Sequence, residues 1–109
     1  MSLVDKPVRG SKTGRPIMAL LDLLGRRWTL RVLWELRGEP LSFRALQTAC
    51  EGMSPSVLNQ RLSELREALI VDAGEQGYAL TPRGRELMLL FDPIGRWSES
   101  WARAQREQA

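Results

Sequence analysis

Between Ser42 and Leu69 the sequence reads as a short helix, a tight turn at Glu51-Gly52-Met53, and a second helix with its own start signal. Ser54 suits an N-cap, where a hydroxyl accepts from an orphan N–H, and Pro55 suits the first helical position. A helix–turn–helix is the geometry that lays its second helix in the DNA major groove. In that second helix, about 54–68, Leu58, Leu62, Leu65 and Leu69 recur at i, i+4, i+7 and i+11 and predict a core stripe. At about 100° per residue, Ser56, Gln60, Ser63 and Glu67 lie opposite that stripe, with Val57 and Asn59 on its flanks. The outward face of the first two turns is small and polar: Ser54, Ser56, Asn59 and Gln60. Hydroxyl and amide groups pair with base edges without requiring one sign of charge. An ordinary solvated helix face has the same composition, so the flanking chain has to decide.

Upstream, Pro16 opens a helix in which Ile17, Leu20, Leu21 and Leu24 share one apolar face, and Gly25 stops it. A second helix is expected over about 27–37. It carries Trp28, Leu30, Val32, Leu33, Trp34 and Leu36, apolar on more than one face, so it is either central in the core or covered by a partner. Leu41 suits a strand of one or two residues. Ser42 caps the third helix, with Phe43, Leu46, Ala49 and Cys50 turned inward. Cys50 at that spacing reads as a small buried apolar residue.

Downstream, Ile70-Val71 and Tyr78-Ala79-Leu80 flank a turn at Gly74-Glu75-Gln76-Gly77, a two-stranded wing over about 69–80. It is short, and Glu75 at its tip equips it poorly to grip phosphates. Thr81 caps and Pro82 starts the last helical region, about 82–107. There Leu87, Leu90, Phe91, Ile94, Trp97 and Trp101 continue an apolar stripe, and Asp92-Pro93 predicts either a kink or a break with Asp92 as a fresh N-cap. Two tryptophans one turn apart need cover, and in so small a domain a second subunit supplies it most simply.

At 109 residues the chain is long enough for one domain, here 16–109, and too short for a large enclosed active site. No apolar run approaches the roughly 18 residues needed to span a membrane, and the N-terminus shows no signal-peptide core. Cys50 stands alone, which excludes an internal disulfide and makes a reducing cytoplasm the expected location. The chain has no histidine, so imidazole acids, bases and metal ligands are ruled out, and no Gly-rich phosphate loop appears. An enzyme, a cofactor and a metal site are therefore not expected. Residues 1–15 read as a flexible basic arm with four basic residues against Asp5; a plain disordered terminus and an arm reaching for phosphates or a minor groove both fit. The remaining chain has 12 basic and 12 acidic groups, so attraction to DNA has to come from local placement.

Four segments stand out together: Leu21-Asp22-Leu23-Leu24-Gly25-Arg26-Arg27-Trp28-Thr29-Leu30, Phe43-x-x-Leu46, the run from Ser54 to Leu65, and Tyr78-Ala79-Leu80-Thr81-Pro82-Arg83-Gly84. In that order they resemble the HxlR-type branch of the MarR-like winged-helix regulators. The resemblance implies a mainly α fold with a small β-hairpin, a winged helix–turn–helix domain with N- and C-terminal dimerisation helices. It implies a homodimeric bacterial transcription regulator that binds double-stranded DNA at a pseudo-palindromic operator, with repression as the expected role. By position, Ser54, Ser56, Val57, Gln60 and Arg61 match the recognition face, Asn59 joins them from the polar face above, and Arg44 and Arg83 suit phosphate contact. Arg61 lies only about 60° from the core stripe, so packing or an ion pair is the alternative for it. Leu20, Leu24, Phe91, Ile94, Trp97 and Trp101 are the expected dimer interface. A pocket for a small aromatic effector near Trp28, Trp34, Trp97 and Trp101 competes with plain core and dimer packing of the same residues.

Three departures from the family pattern stand out. Arg15-Pro16 replaces the Cys-Pro of thiol-sensing members. The wing is cut back and acidic. Ala68-Leu69 replaces the usual Asp-Gly at the end of the recognition helix, where a left-handed leucine would cost about 1 kcal/mol, so a helix end built differently is the expectation here. The neutral core and stunted wing also motivate a second reading, a protein-interaction module without specific DNA binding.

Overall fold

The computed structural model describes residues 15–108; residues 1–14, most of the expected basic arm, lie outside the described residues. Six helices and one hairpin follow in the order α1 (Pro16–Leu24), α2 (Thr29–Glu35), α3 (Phe43–Ala49), α4 (Pro55–Glu67), β1 (Val71–Gly74), β2 (Gly77–Leu80), α5 (Pro82–Leu89) and α6 (Asp92–Gln108). Ser42, Ser54 and Thr81 are the N-caps of α3, α4 and α5, their hydroxyls accepting from the N–H groups of Ala45, Val57 and Gly84.

Helix α2 sits at the centre, with Val32 and Leu33 fully buried and Leu36 just beyond its end. Around it close Leu46 and Cys50 from α3, Leu58, Leu62 and Leu65 from α4, Val71 and Leu80 from the hairpin, and Met88 from α5. Each fully buried leucine stabilises by roughly 2 kcal/mol through apolar area removed from water. The helix is shorter than the 27–37 expected. Trp28 packs its ring against the core from a left-handed backbone with φ 76°, so the helix begins only after it.

Leu69 departs from the expected core stripe. It is 71% exposed, with φ 66°. The N–H of Leu69 donates to Arg66 and that of Ile70 to Leu65, both at 3.0 Å, the paired bonds of a Schellman ending, while Ile70 takes the buried place instead. The helix end is thus built as glycine would build it, with leucine in the strained position. Glu51, at φ 58°, plays the same part after α3, where Glu51 donates to Thr48 and Gly52 to Gln47.

The hairpin is antiparallel, pairing Val71 with Leu80 through Gly74 with Gly77 around a two-residue tip, Glu75-Gln76. Leu41 bridges Tyr78 through reciprocal bonds of 2.9 and 2.8 Å, the brief strand expected there. That approach brings the Leu41 carbonyl oxygen to 2.5 Å from where a Cβ on residue 77 would stand, so only glycine fits. Gly84 is forced in the same way: a Cβ there would collide with the backbone carbonyl of Ile70.

At Asp92-Pro93 the chain breaks rather than kinks. Helix α5 ends at Leu89, and Asp92 lies in the first turn of the new helix α6. Helix α6 buries none of its residues although it is strongly amphipathic. Ile94, Trp97 and Trp101 line its apolar side, Trp97 63% exposed and stacked on Trp101 at 6.1 Å between ring centres. On α1 the inward residues are Ala19 and Leu23, whereas Ile17 and Leu21 are exposed. Half of the expected apolar face of α1 therefore points away from this chain's own core.

Candidate nucleic-acid interface

The turn between α3 and α4 is held from both sides. The Gln47 amide donates to the Met53 carbonyl at 3.0 Å, and Met53 itself is buried. This sets the start of α4 with its first turn in solvent: Ser54, Ser56, Asn59 and Gln60 are all exposed. The Ser54 and Ser56 hydroxyls lie 3.0 Å apart, while Asn59 and Gln60 make no side-chain hydrogen bond among the described residues. Exposed amides without intramolecular partners on a helix face are what base-edge pairing requires.

The two flanks of α4 differ. On one, Val57 packs partly against the core. Arg61 has a side chain only 14% exposed and pairs with Glu64 at 3.3 Å, and Glu64 in turn pairs with Arg26 at 3.2 Å. Arg61 and Val57 thus sit apart from the outward polar face on which the sequence grouped them; the ion pair weighed as the alternative for Arg61 is the arrangement present. On the other flank, an open groove of about 1040 Å³ runs between α4, the hairpin and the start of α5. Asn59, Ser63, Arg66 and Arg83 border it, together with Glu67, Asp72 and Glu86.

Arg44 is exposed on α3 and makes no ion pair among the described residues. Arg83 is 79% exposed at its side chain and among the described residues pairs only with similarly open Glu86 at 3.1 Å. An exposed pair of this kind contributes little and gives way readily to a stronger anion. Arg66 was missed by sequence reasoning; its place on the groove beside Arg83 follows from the hairpin's position, which α4's periodicity alone does not supply.

Residues 23–106 match the HxlR-like helix-turn-helix family model. The chain belongs to that family. This HxlR-family chain is 25% identical over 92 residues to the uncharacterized HTH-type transcriptional regulator MJ0925 of Methanocaldococcus jannaschii, covering 81% of this chain and 87% of the relative. The quinone-bound YodB of Bacillus subtilis superposes with a TM-score of 0.71 at 27% identity, over 77% of this chain and 96% of YodB. A possible HxlR family transcriptional factor from Thermoplasma volcanium shares the fold, with a TM-score of 0.68 at 24% identity over 81% and 85% of the two chains. The protein is thus a transcriptional regulator with a helix-turn-helix DNA-binding domain, and not an enzyme.

In this HxlR-family member the tryptophans expected to line one pocket occupy separate environments. Trp28 packs on the core, Trp34 is exposed beneath the Arg37 guanidinium at 3.3 Å, and Trp97 stacks on Trp101. The expected dimer residues divide as well. Leu20 is half-buried, and Leu24 and Phe91 pack partly against this chain's core. Ile94, Trp97 and Trp101 are exposed, as are Ile17, Leu21, Leu89 and Leu90, which the sequence pattern had not placed at the interface. No helix is long and apolar enough to cross a membrane among the described residues.

Proposed function

We propose that the protein is a homodimeric repressor that reads a pseudo-palindromic operator through α4. The observation that carries this reading is the exposed polar row Ser54, Ser56, Asn59 and Gln60, in which the Asn59 and Gln60 amides have no side-chain hydrogen-bond partner among the described residues. Arg44 and Arg83 supply phosphate grip on either side, with Arg66 beside Arg83. The hairpin is too short and too acidic at Glu75 to add much. The second subunit covers the exposed apolar side chains of α1 and α6, above all Ile94, Trp97 and Trp101, whose burial supplies the driving force for association.

The test is binding to an operator selected from random duplexes. Gln60→Ala weakens operator binding about 5–150-fold, the 1–3 kcal/mol of one base contact, and leaves affinity for mixed-sequence DNA unchanged. Equal operator binding by wild type and variant removes Gln60 from base reading.

YodB binds a quinone. A planar aromatic effector here would meet the stacked, exposed Trp97–Trp101 pair at the subunit boundary. Tryptophan fluorescence titrated with quinones checks this; a signal that stays flat across a broad panel assigns the pair to packing alone.

A further inference from the structure

The recognition helix is tied to α1 by a chain of charges that DNA reading does not use. Asp22 on α1 binds Arg26 at 3.0 Å in the link to α2, Arg26 reaches Glu64 of α4 at 3.2 Å, and Glu64 holds Arg61 at 3.3 Å. None of these side chains is more than 30% exposed. The last link is imperfect. The Arg61 Nε and Glu64 Oε1 are buried without a hydrogen-bond partner among the described residues. A guanidinium carries five donors, and one with its Nε–H unsatisfied has partners to gain elsewhere.

The helical arithmetic shows where. Arg61 is about 60° from the centre of the leucine stripe and Glu64 about 120° from it on the same side. Glu64 therefore stands between Arg61 and the outward polar face. Its carboxylate, itself anchored by Arg26, keeps a cation folded against the protein beside the surface that meets DNA.

We propose that Glu64 is a positioning residue for DNA binding, which withholds the Arg61 guanidinium from the phosphate backbone and is set in that role by Asp22 and Arg26 on the α1 side. Release of Glu64 frees Arg61 to make one more phosphate contact. Because Asp22 lies on α1, a shift of α1 reaches the recognition helix through these side chains. The proposal rests on α4 as the DNA-reading helix.

The experiment measures affinity of the full chain for a selected operator and for mixed-sequence duplex between about 50 and 200 mM salt. Four proteins are compared: wild type, Glu64→Gln, Arg61→Gln and the double variant. One added phosphate contact steepens the dependence of log affinity on log salt by about 0.9. Glu64→Gln shows that increment, the double variant loses it, and Arg61→Gln alone keeps the wild-type slope. Arg61→Gln lowering the slope overturns the proposal, since Arg61 would already lie on phosphate. An equal increment from Glu64→Gln with and without Arg61 also overturns it, because bulk charge then explains the gain. Should Glu64→Gln fail to fold, Glu64→Asp keeps the charge while shortening the reach; its slope rises only in the presence of Arg61, and no rise defeats the proposal. Weak binding to every duplex by wild type itself marks instead the failure of α4 as a reading helix.

Discussion

The Thr81 hydroxyl donates to the backbone carbonyl of Leu69 at 2.7 Å, binding the end of α4 to the start of α5. The same oxygen accepts from the Gly84 N–H at 3.0 Å, so one side chain caps α5 and anchors the close of α4. Around it, Gly84 lies against the Ile70 backbone and Leu69 holds the left-handed turn between them. The segment Tyr78–Gly84 that resembles the family is thus the fixture that fixes where α4 ends.

Leu69→Gly relieves the left-handed strain and removes an exposed leucine while leaving both backbone carbonyl contacts of Thr81 in place. The expected gain is about 1 kcal/mol, or a rise of roughly 4–8 °C in Tm. Thermal unfolding followed by circular dichroism checks it; a Tm at or below that of wild type shows that the leucine is not strained.

Gly84→Ala has the opposite sign. The added Cβ meets the Ile70 carbonyl, which is backbone and has no flexible end to swing aside. A loss of about 3 kcal/mol is expected, the upper part of the range for overpacking. Urea unfolding of the two proteins measures it, and a loss below about 0.5 kcal/mol, the range of neutral surface changes, contradicts the close approach.

Much of this architecture was legible in the sequence. Ser42, Ser54 and Thr81 announced their helices because a capping hydroxyl followed by proline or an apolar run is a local signal, and the leucines 58, 62 and 65 fixed the inward face of α4 by spacing alone. Leu69 misled because periodicity does not register where a helix stops. Trp28 shortened α2 because tertiary packing of its ring outweighed the helical pattern. In the site, the polar row and the ion-pair alternative for Arg61 were legible from angle alone, whereas the place of Arg66 depends on the hairpin and the anchoring of Glu64 depends on Arg26, far away in sequence.

Cys50 is fully buried, and that burial pushes its thiol above the ordinary value despite the opposing pull of the Arg31 guanidinium. Unfolding exposes a thiol that ionises earlier than the folded one. Stability is therefore unaffected by this group below the ordinary thiol range, about pH 8.5, and declines as pH rises through and beyond it. Cys50→Ala removes that part of the decline. The folded protein also reacts slowly with a thiol reagent and much faster in denaturant; rapid native reaction contradicts the buried placement.

Trp97→Ala tests the subunit boundary. Truncating a central tryptophan at an interface costs about 2 kcal/mol or more, so the dimer dissociation constant rises at least about 30-fold. Sedimentation velocity across a concentration series reads the change. Wild-type protein that sediments as a monomer at all concentrations, or a variant that associates equally well, removes Trp97 from the interface.

The central claim, that α4 reads DNA from a symmetric dimer, is tested most directly by selecting bound duplexes from a random pool with the full chain. The expected result is one enriched pseudo-palindrome with half-sites about one helical turn apart, bound less tightly as salt rises. Comparable weak recovery of every sequence contradicts the claim and leaves the winged-helix scaffold as a protein-interaction module.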